Sequence, residues 1–592
     1  MKKIFKTILL LAAVTTGMGA FISCSSDDDL PKADALFRPI INASDNIEVG
    51  LTEANVPYMI INWDNYTDAN QYTVRVVPVD ASVAAKEVTT SELTCRFDGL
   101  EYDKEYYIYI SSSNTQTGLS SKEFSLTTTT PDFPTNLTTP ASTDLIDTQA
   151  RIKWSGISYS ELKFYKDSND SLVADTIIGE EVNAAQEMII KGLSPKTTYR
   201  VEAYLNGAYQ GKKRFTTTAA EKYEGIVFDL RGMDDETART YITTDQIATD
   251  VEANPGQDII YVLSGGTTYK ISGGTAIPAT EKTVKFVTGL TLAGNAKFVS
   301  SGGFAIVKEA NVYGIEFEKI DFISDKFTDA AAIAANSDKG FGGRQVFNIN
   351  GVNGTLTNIK FKNCSMQGYR AVVRSQADGD NIKNVTLENC LINGIGDQGV
   401  LTTTNKKGGW EKVVVKNCTV TNVVLFCDFR SATVKNGLSM DMTVENCTFC
   451  YAPMEAANTN TLMFRVGDNT TITVKNTLFG PAMASVKPFT ASTTGSIFVT
   501  GGPTVSVEQS YKTNFEWTSL GEAEAATIYP LEGLTDLGLN ETGLWKDPGN
   551  GNFSIIGKVT GVDFSKLGDS RWKYIHLFSI QSMGGLVIDV RP

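Results

Sequence analysis

A chain of 592 residues, 42 % hydrophobic and 20 % charged, has the make-up of an ordinary globular protein and length enough for about four domains. It carries 67 acidic against 53 basic residues, a formal charge of −14, or −17 once the three lysines of residues 1–23 are set aside. That balance argues against a general nucleic-acid binder. The single histidine, His576, excludes any mechanism that needs two and leaves a Ser-His-Asp triad without support.

The chain opens on a targeting segment. Lys2, Lys3 and Lys6 precede an apolar run from Ile8 to Val14, and Phe21-Ile22-Ser23-Cys24 follows small residues. This pattern resembles a bacterial lipoprotein signal, with residues 1–23 removed and Cys24 acylated. The run Ser25-Ser26-Asp27-Asp28-Asp29 resembles the tag that sends such proteins to the outer face of an outer membrane. No later stretch has the 18 or so apolar residues of a membrane span, so the expectation is a surface-anchored chain with a tether at 24–35.

Residues 36–130 read as all-β. MIINW (59–63), YTVRVVPV (72–79), LTCRF (93–97) and YYIYI (106–110) are strand-like runs between polar turns. Residues 131–219 repeat the plan with RIKW (151–154), LKFY (162–165) and GLSPKTTYRVEAY (192–204). Trp63 and the equal steps Leu100…Tyr106 and Leu193…Tyr199 resemble fibronectin type III sandwiches, in which such a tyrosine pins a corner through its hydroxyl. Each module ends in a threonine run, at 127–130 and 216–218, that reads as last strand and linker. Their expected role is that of a spacer.

From about residue 224 the chain is repetitive. FKNCSM (361–366), LENCLI (387–392), VKNCTV (415–420), VENCTF (444–449) and VKNTLF (474–479) recur at steps of 26, 28, 29 and 30 residues. The inward phase slips by one residue at the Asn-Cys step in every copy, which a flat strand would not do. Each copy therefore predicts one coil of a parallel β-helix with a corner at the asparagine, and Asn363, Asn389, Asn417, Asn446 and Asn476 stack into a ladder. Two residues before each Cys slot stand Lys362, Glu388, Lys416, Glu445 and Lys475, a column of alternating sign that is expected to be structural. Cys364, Cys390, Cys418 and Cys447 predict a buried ladder of free thiols; no C-x-x-C pair or Cys/His cluster suggests zinc. The 44-residue gap between Ile320 and Cys364 requires an inserted loop, with 327–343 as the candidate, and residues 500–545 lose the period.

The asparagine corner, the v-x-v-x-N-C-x-v phrase and the coil length resemble the pectate-lyase-like right-handed parallel β-helix superfamily. LWKDPGNGNFSI (544–555) and GDSRW (568–572) resemble the closing segment of exported β-helix lipoproteins that carry domains of unknown function. The resemblance covers 224–592. It implies an all-β chain of two fibronectin type III-like sandwiches followed by the β-helix. It does not imply one activity, because such folds host lyases, hydrolases, esterases, adhesins and binding proteins.

Aligning RAVVRS (370–375), GVLTTT (399–404), LFCDFRS (425–431) and TLMFRVG (461–467) on Val373, Leu401, Phe429 and Phe464 puts Arg374, Thr402, Arg430 and Arg465 on one exposed column, after Asn348 of the preceding coil. Arginine takes carboxylates through two parallel bonds, so an acidic, pectin-like polysaccharide is the expected partner. Arg370 and Tyr369 flank this column, and Trp410 is a candidate sugar-stacking platform. A solvated face paired with Asp428 and Asp468 accounts for the arginines equally well. Three functions stay open: a surface glycan-binding lipoprotein working beside import proteins, a lyase, and an adhesin or stalk. In the resembling lyases carboxylates bind Ca²⁺ and an arginine or lysine removes the proton. Here that implies Arg430 with Asp428, and Asp378, Asp380 and Asp428 if calcium is held, although a full ligand cluster is not apparent. Hydrolysis would need paired carboxylates, for which Asp397, Asp428 and Asp468 are the supply.

Overall fold

The structure, a computed structural model, describes residues 34–573 apart from 82, 405–409, 430–438, 455–462, 467–468, 487–489, 496–497, 501–502 and 518–527. Cys24, Arg430, Asp468 and His576 lie outside the described residues.

Two sandwiches come first. In the first module a three-stranded sheet (Ile47–Leu51, Pro57–Asn62, Thr94–Asp98) faces a four-stranded one (Lys86–Thr90, Gln71–Pro78, Glu105–Ser113, Phe124–Thr129). Strict alternation along Gln71–Pro78 sends Tyr72, Val74 and Val76 against Met59, Ile61 and Trp63. The second module pairs Gln149–Lys153 with Glu187–Lys191 and opposes them to Ser171–Ile177, Glu161–Lys166, Thr198–Leu205 and Ala208–Thr216. Both tyrosine corners form: the Glu101 amide donates to Tyr106 Oη at 3.1 Å and the Ser194 amide to Tyr199 Oη at 2.9 Å. The modules meet through Asp103, which pairs with Lys212 and with Arg214 at 3.2 Å. The second module meets the β-helix through Arg151, whose Nη2 donates to Leu292 O at 2.8 Å, and through Leu290 N, which donates to Glu221 Oε2 at 2.9 Å.

The remainder winds into a parallel β-helix, right-handed as parallel crossovers nearly always are. Three sheets run along it. Counted among the described residues, the first has ten strands, including Thr280–Thr288, Asn311–Glu318, Thr355–Lys362, Asn381–Glu388 and Lys412–Lys416. The second also has ten, including Ser365–Tyr369, Leu391–Ile395 and Thr419–Val423, and the third has nine, including Gln345–Ile349, Ala371–Ser375 and Leu401–Thr403. Inward residues stack coil on coil: Phe286, Phe317 and Phe361 lie with ring centroids 5.5 and 5.1 Å apart. Burying each such ring contributes roughly 2 kcal/mol.

The asparagines explain the phase slip. Asn363, Asn389, Asn417, Asn446 and Asn476 all have φ between 50° and 55°, the left-handed region that turns the chain from the first sheet to the second. Asparagine tolerates this region because its short amide bonds locally. Asn389 Nδ2 donates to Asn363 Oδ1 at 3.0 Å and Asn417 Nδ2 to Asn389 Oδ1 at 2.5 Å. The charge column also forms in register and extends one coil each way, from Glu318 through Lys362, Glu388, Lys416, Glu445 and Lys475 to Glu508. Its ion pairs include Lys362–Glu318 at 3.3 Å and Lys416–Glu445 at 3.2 Å. The four ladder cysteines are buried free thiols, and Cys364, Cys390 and Cys418 have pKa values raised by burial.

Three features add to the sequence reading. The first parallel strand is Ile226–Asp229, and two helices, Asp235–Thr240 and Thr244–Ala253, follow it and send Ala238 and Ile247 into the core at that end. Asp234 and Thr243 cap these helices through Thr237 N and Gln246 N. The closing segment is a strap along the side of the coils. Leu537, Leu544, Trp545, Phe553, Leu567 and Trp572 form a second apolar cluster with Leu391 and Leu478 on the outside of the second sheet. The strap bonds across successive coils: Gly568 N donates to Asn476 O, Asp569 N to Thr448 Oγ1, and Ser570 N to Asn417 Oδ1. The 327–343 insertion joins the same cluster through Ile333 and Phe341, so it lies beside the second sheet.

Candidate functional site

On the third sheet the outward column runs Asn348, Arg374, Thr402, Asp428, Arg465 by backbone register. The expected fourth member was Arg430. The structure stacks Cys427, not Phe429, between Leu401 and Phe464, so the alignment was two residues late in that coil. A two-residue slip keeps every side chain on its own face, which is why alternation alone gave no warning. Both Cys427 and Phe429 are buried, and either satisfies an apolar slot.

The column is not open along its length. Arg374 is half-buried. With the Gln376 amide oxygen turned toward it, Arg374 donates from Nη1 and Nη2 at 2.8 and 3.0 Å, while the amide nitrogen reaches Asn348 Oδ1 at 3.2 Å. Thr402 is 3 % exposed and Asp428 wholly buried, with Arg465 Nε 3.9 Å from Asp428 Oδ1. The Arg465 side chain keeps 32 % exposure. Arg374 and Arg465 are thus the part-exposed arginines of the column, three strands or about 14 Å apart.

The flanking residues need correction. Tyr369 is completely buried and bonds Ser300 Oγ at 2.9 Å, so it cannot stack on a sugar. Trp410 is 3 % exposed and meets Phe429 edge to face at 4.5 Å; it is core, not a platform. Both side chains turn inward near corners, where the period of two breaks. Arg370 is tied to Asp397 by two bonds of 2.7 and 3.2 Å, and this pair raises the Arg370 pKa.

The carboxylates expected for calcium, Asp378, Asp380 and Asp428, are not gathered into one cluster. The Asp380 carboxylate is buried and accepts from the backbone amides of Gly351, Val352, Asn353 and Ala377 at 2.8, 2.8, 3.0 and 3.2 Å. It staples one loop to the next. Asp378 is exposed on the same loop, and Asp428 lies under the arginine column. Among the described residues no three His, Cys, Asp or Glu side chains gather in a way that could hold a metal ion.

No family model matches the chain, and no curated protein matches its sequence. Solved structures do align. A family 28 exopolygalacturonase of Yersinia enterocolitica is 12 % identical over 68 % of this chain and 84 % of its own, with a TM-score of 0.30. The FN1–FN3 domains of chicken CNTN1 are 14 % identical over 31 % of this chain and 69 % of their own, TM-score 0.14. A two-domain fibronectin type III segment of chicken tenascin is 11 % identical over 30 % of this chain and all of its own, TM-score 0.15.

Proposed function

We propose that the chain binds an acidic, uronate-bearing polysaccharide along the third sheet of its β-helix, with Arg374 and Arg465 meeting sugar carboxylates. The observation that carries this reading is the placing of two part-exposed arginines on one register column of a rigid sheet, in a chain of net charge −14. Guanidinium groups fixed by neighbouring side chains lose little freedom on binding a carboxylate. Acylation at Cys24 would hold the protein on an outer-membrane surface, the two sandwiches would act as a spacer, and import proteins would be its working partners. The test mixes residues 25–592 with homogalacturonan, other uronate polymers and neutral glycans in an affinity gel. Retardation by a uronate polymer is expected, and the Arg374→Ala/Arg465→Ala variant should lose most of it. Unchanged retardation in that variant would overturn the site.

A second reading, a polysaccharide lyase, rests on the Asp428–Arg465 pair, which sets a carboxylate beside a cation on the same column. It predicts unsaturated product, read by ultraviolet absorbance, from the same incubations with and without Ca²⁺. Absence of product across the uronate panel would remove it for those polymers.

A further inference from the structure

A groove on the first sheet offers a different surface. Its outward column runs Thr283, Gly314, Asn358, Asn384, and the Thr283 side chain lies over Gly314 in the space another side chain would need. A Cβ placed at Gly314 would come within 2.8 Å of Thr283 Oγ1. Beside them lies an open cavity of about 290 Å³ walled by Tyr313, Asn358, Glu316, Lys360, Asn384 and Thr386.

The wall chemistry is specific. Tyr313 is 49 % exposed, large for an aromatic ring on a sheet face. Asn384 Nδ2 donates to Asn358 Oδ1 at 3.0 Å, and Asn358 Nδ2 donates to Tyr313 O at 3.1 Å. This relay fixes both amides while leaving Asn384 Oδ1 to accept and a second N–H on each amide to donate. The charged walls are already paired: Glu316 with Lys285 at 3.2 Å and Lys360 with Glu388 at 3.0 Å. Amides of fixed direction, a hydroxyl at either end, an apolar ring and cancelled charge match an uncharged molecule with many hydroxyls and one apolar face.

We infer that the Tyr313 groove binds neutral pyranose units of a polysaccharide, the sugar ring lying on Tyr313 and its hydroxyls meeting Asn358 and Asn384. This site is separate from the arginine column and of opposite preference, and its standing does not depend on that column. A glycan with both neutral and acidic stretches would engage two faces of one β-helix.

The test uses residues 25–592 in affinity gels containing galactan, dextran, xylan or mannan, with homogalacturonan alongside. At least one neutral polymer should retard the protein. Tyr313→Ala should weaken that retardation by about tenfold, as loss of a stacking anchor does. Asn384→Ala should weaken it too, while Arg374→Ala/Arg465→Ala leaves it unchanged. An unaltered melting profile shows each variant is folded. Failure of all four neutral polymers, binding that survives Tyr313→Ala, or equal loss in the arginine variant would each overturn the assignment.

Discussion

Asn389→Ala is the sharpest probe of the corner. Asn389 sits at φ 54° and links Asn363 and Asn417 through its amide at 3.0 and 2.5 Å. Alanine removes both bonds, at about 1 kcal/mol each, and leaves the Cβ already present in the left-handed region without the short amide that offsets its strain, at a further cost of about 1 kcal/mol. The sum, about 3 kcal/mol, corresponds to roughly 150-fold in a local opening equilibrium. A chain with several domains does not melt in one step, so the readout is local: hydrogen exchange of peptides covering 387–392 and 415–420. The reporting amides are Asn389 N, bonded to Lys416 O at 2.9 Å, and Thr419 N, bonded to Cys390 O at 3.0 Å. Exchange there should accelerate by about two orders of magnitude while the sandwich modules are unaffected. Asn389→Gly loses the same bonds without the Cβ strain and should accelerate less. Acceleration below about threefold in the alanine variant would refute the ladder as a source of stability.

Asp321 gives a pH prediction. Its carboxyl is buried, accepts from Ser365 Oγ at 2.8 Å and Asn295 Nδ2 at 3.1 Å, and has its pKa raised chiefly by burial. A raised carboxyl favours the folded state when protonated, so its contribution is complete below the ordinary carboxylate range and is lost as pH climbs through the raised value. Asp321→Asn should therefore melt above the parent at neutral pH, and the gap should close in acid; a gap independent of pH would contradict this. The cysteines give another prediction. Burial raises the thiols of Cys364, Cys390 and Cys418, and pushes Cys95 up to about 12, so an alkylating reagent should leave all four unmodified in the folded protein and label them after denaturation. Rapid labelling of the native form would show that the coil interior is open.

The repeat made the β-helix legible because stacking converts a sequence period into spatial neighbours. The Lys/Glu column could be read residue by residue, since each member lies a fixed two positions before its Cys slot. The outward column of the third sheet could not, because those strands follow corners and loops of unequal length. There the placing of Asp428 rather than Arg430 beside Thr402 depends on where the chain re-enters the sheet. Tyr369 and Trp410 misled for a related reason: an aromatic near a corner has the same composition signal whether it turns in or out. The cap helices announce themselves only through Asp234 and Thr243, polar residues that precede short runs with few apolar positions.

The first-sheet groove shows how a repeat also hides function. Asn358 and Asn384 each stand six residues before a ladder cysteine, so the period marks them as stacked neighbours. Gly314 belongs to a coil that has no Asn-Cys phrase, and only its pairing with Asn358 brings it into the same column. The strap and the 327–343 insertion bury the outside of the second sheet around Leu391 and Leu478. Thr402 and Asp428 are covered in the middle of the third. The two glycan readings rest on Arg374 and Arg465 of the third sheet and on the Tyr313 groove of the first. The four substitutions at Arg374, Arg465, Tyr313 and Asn384 separate the two.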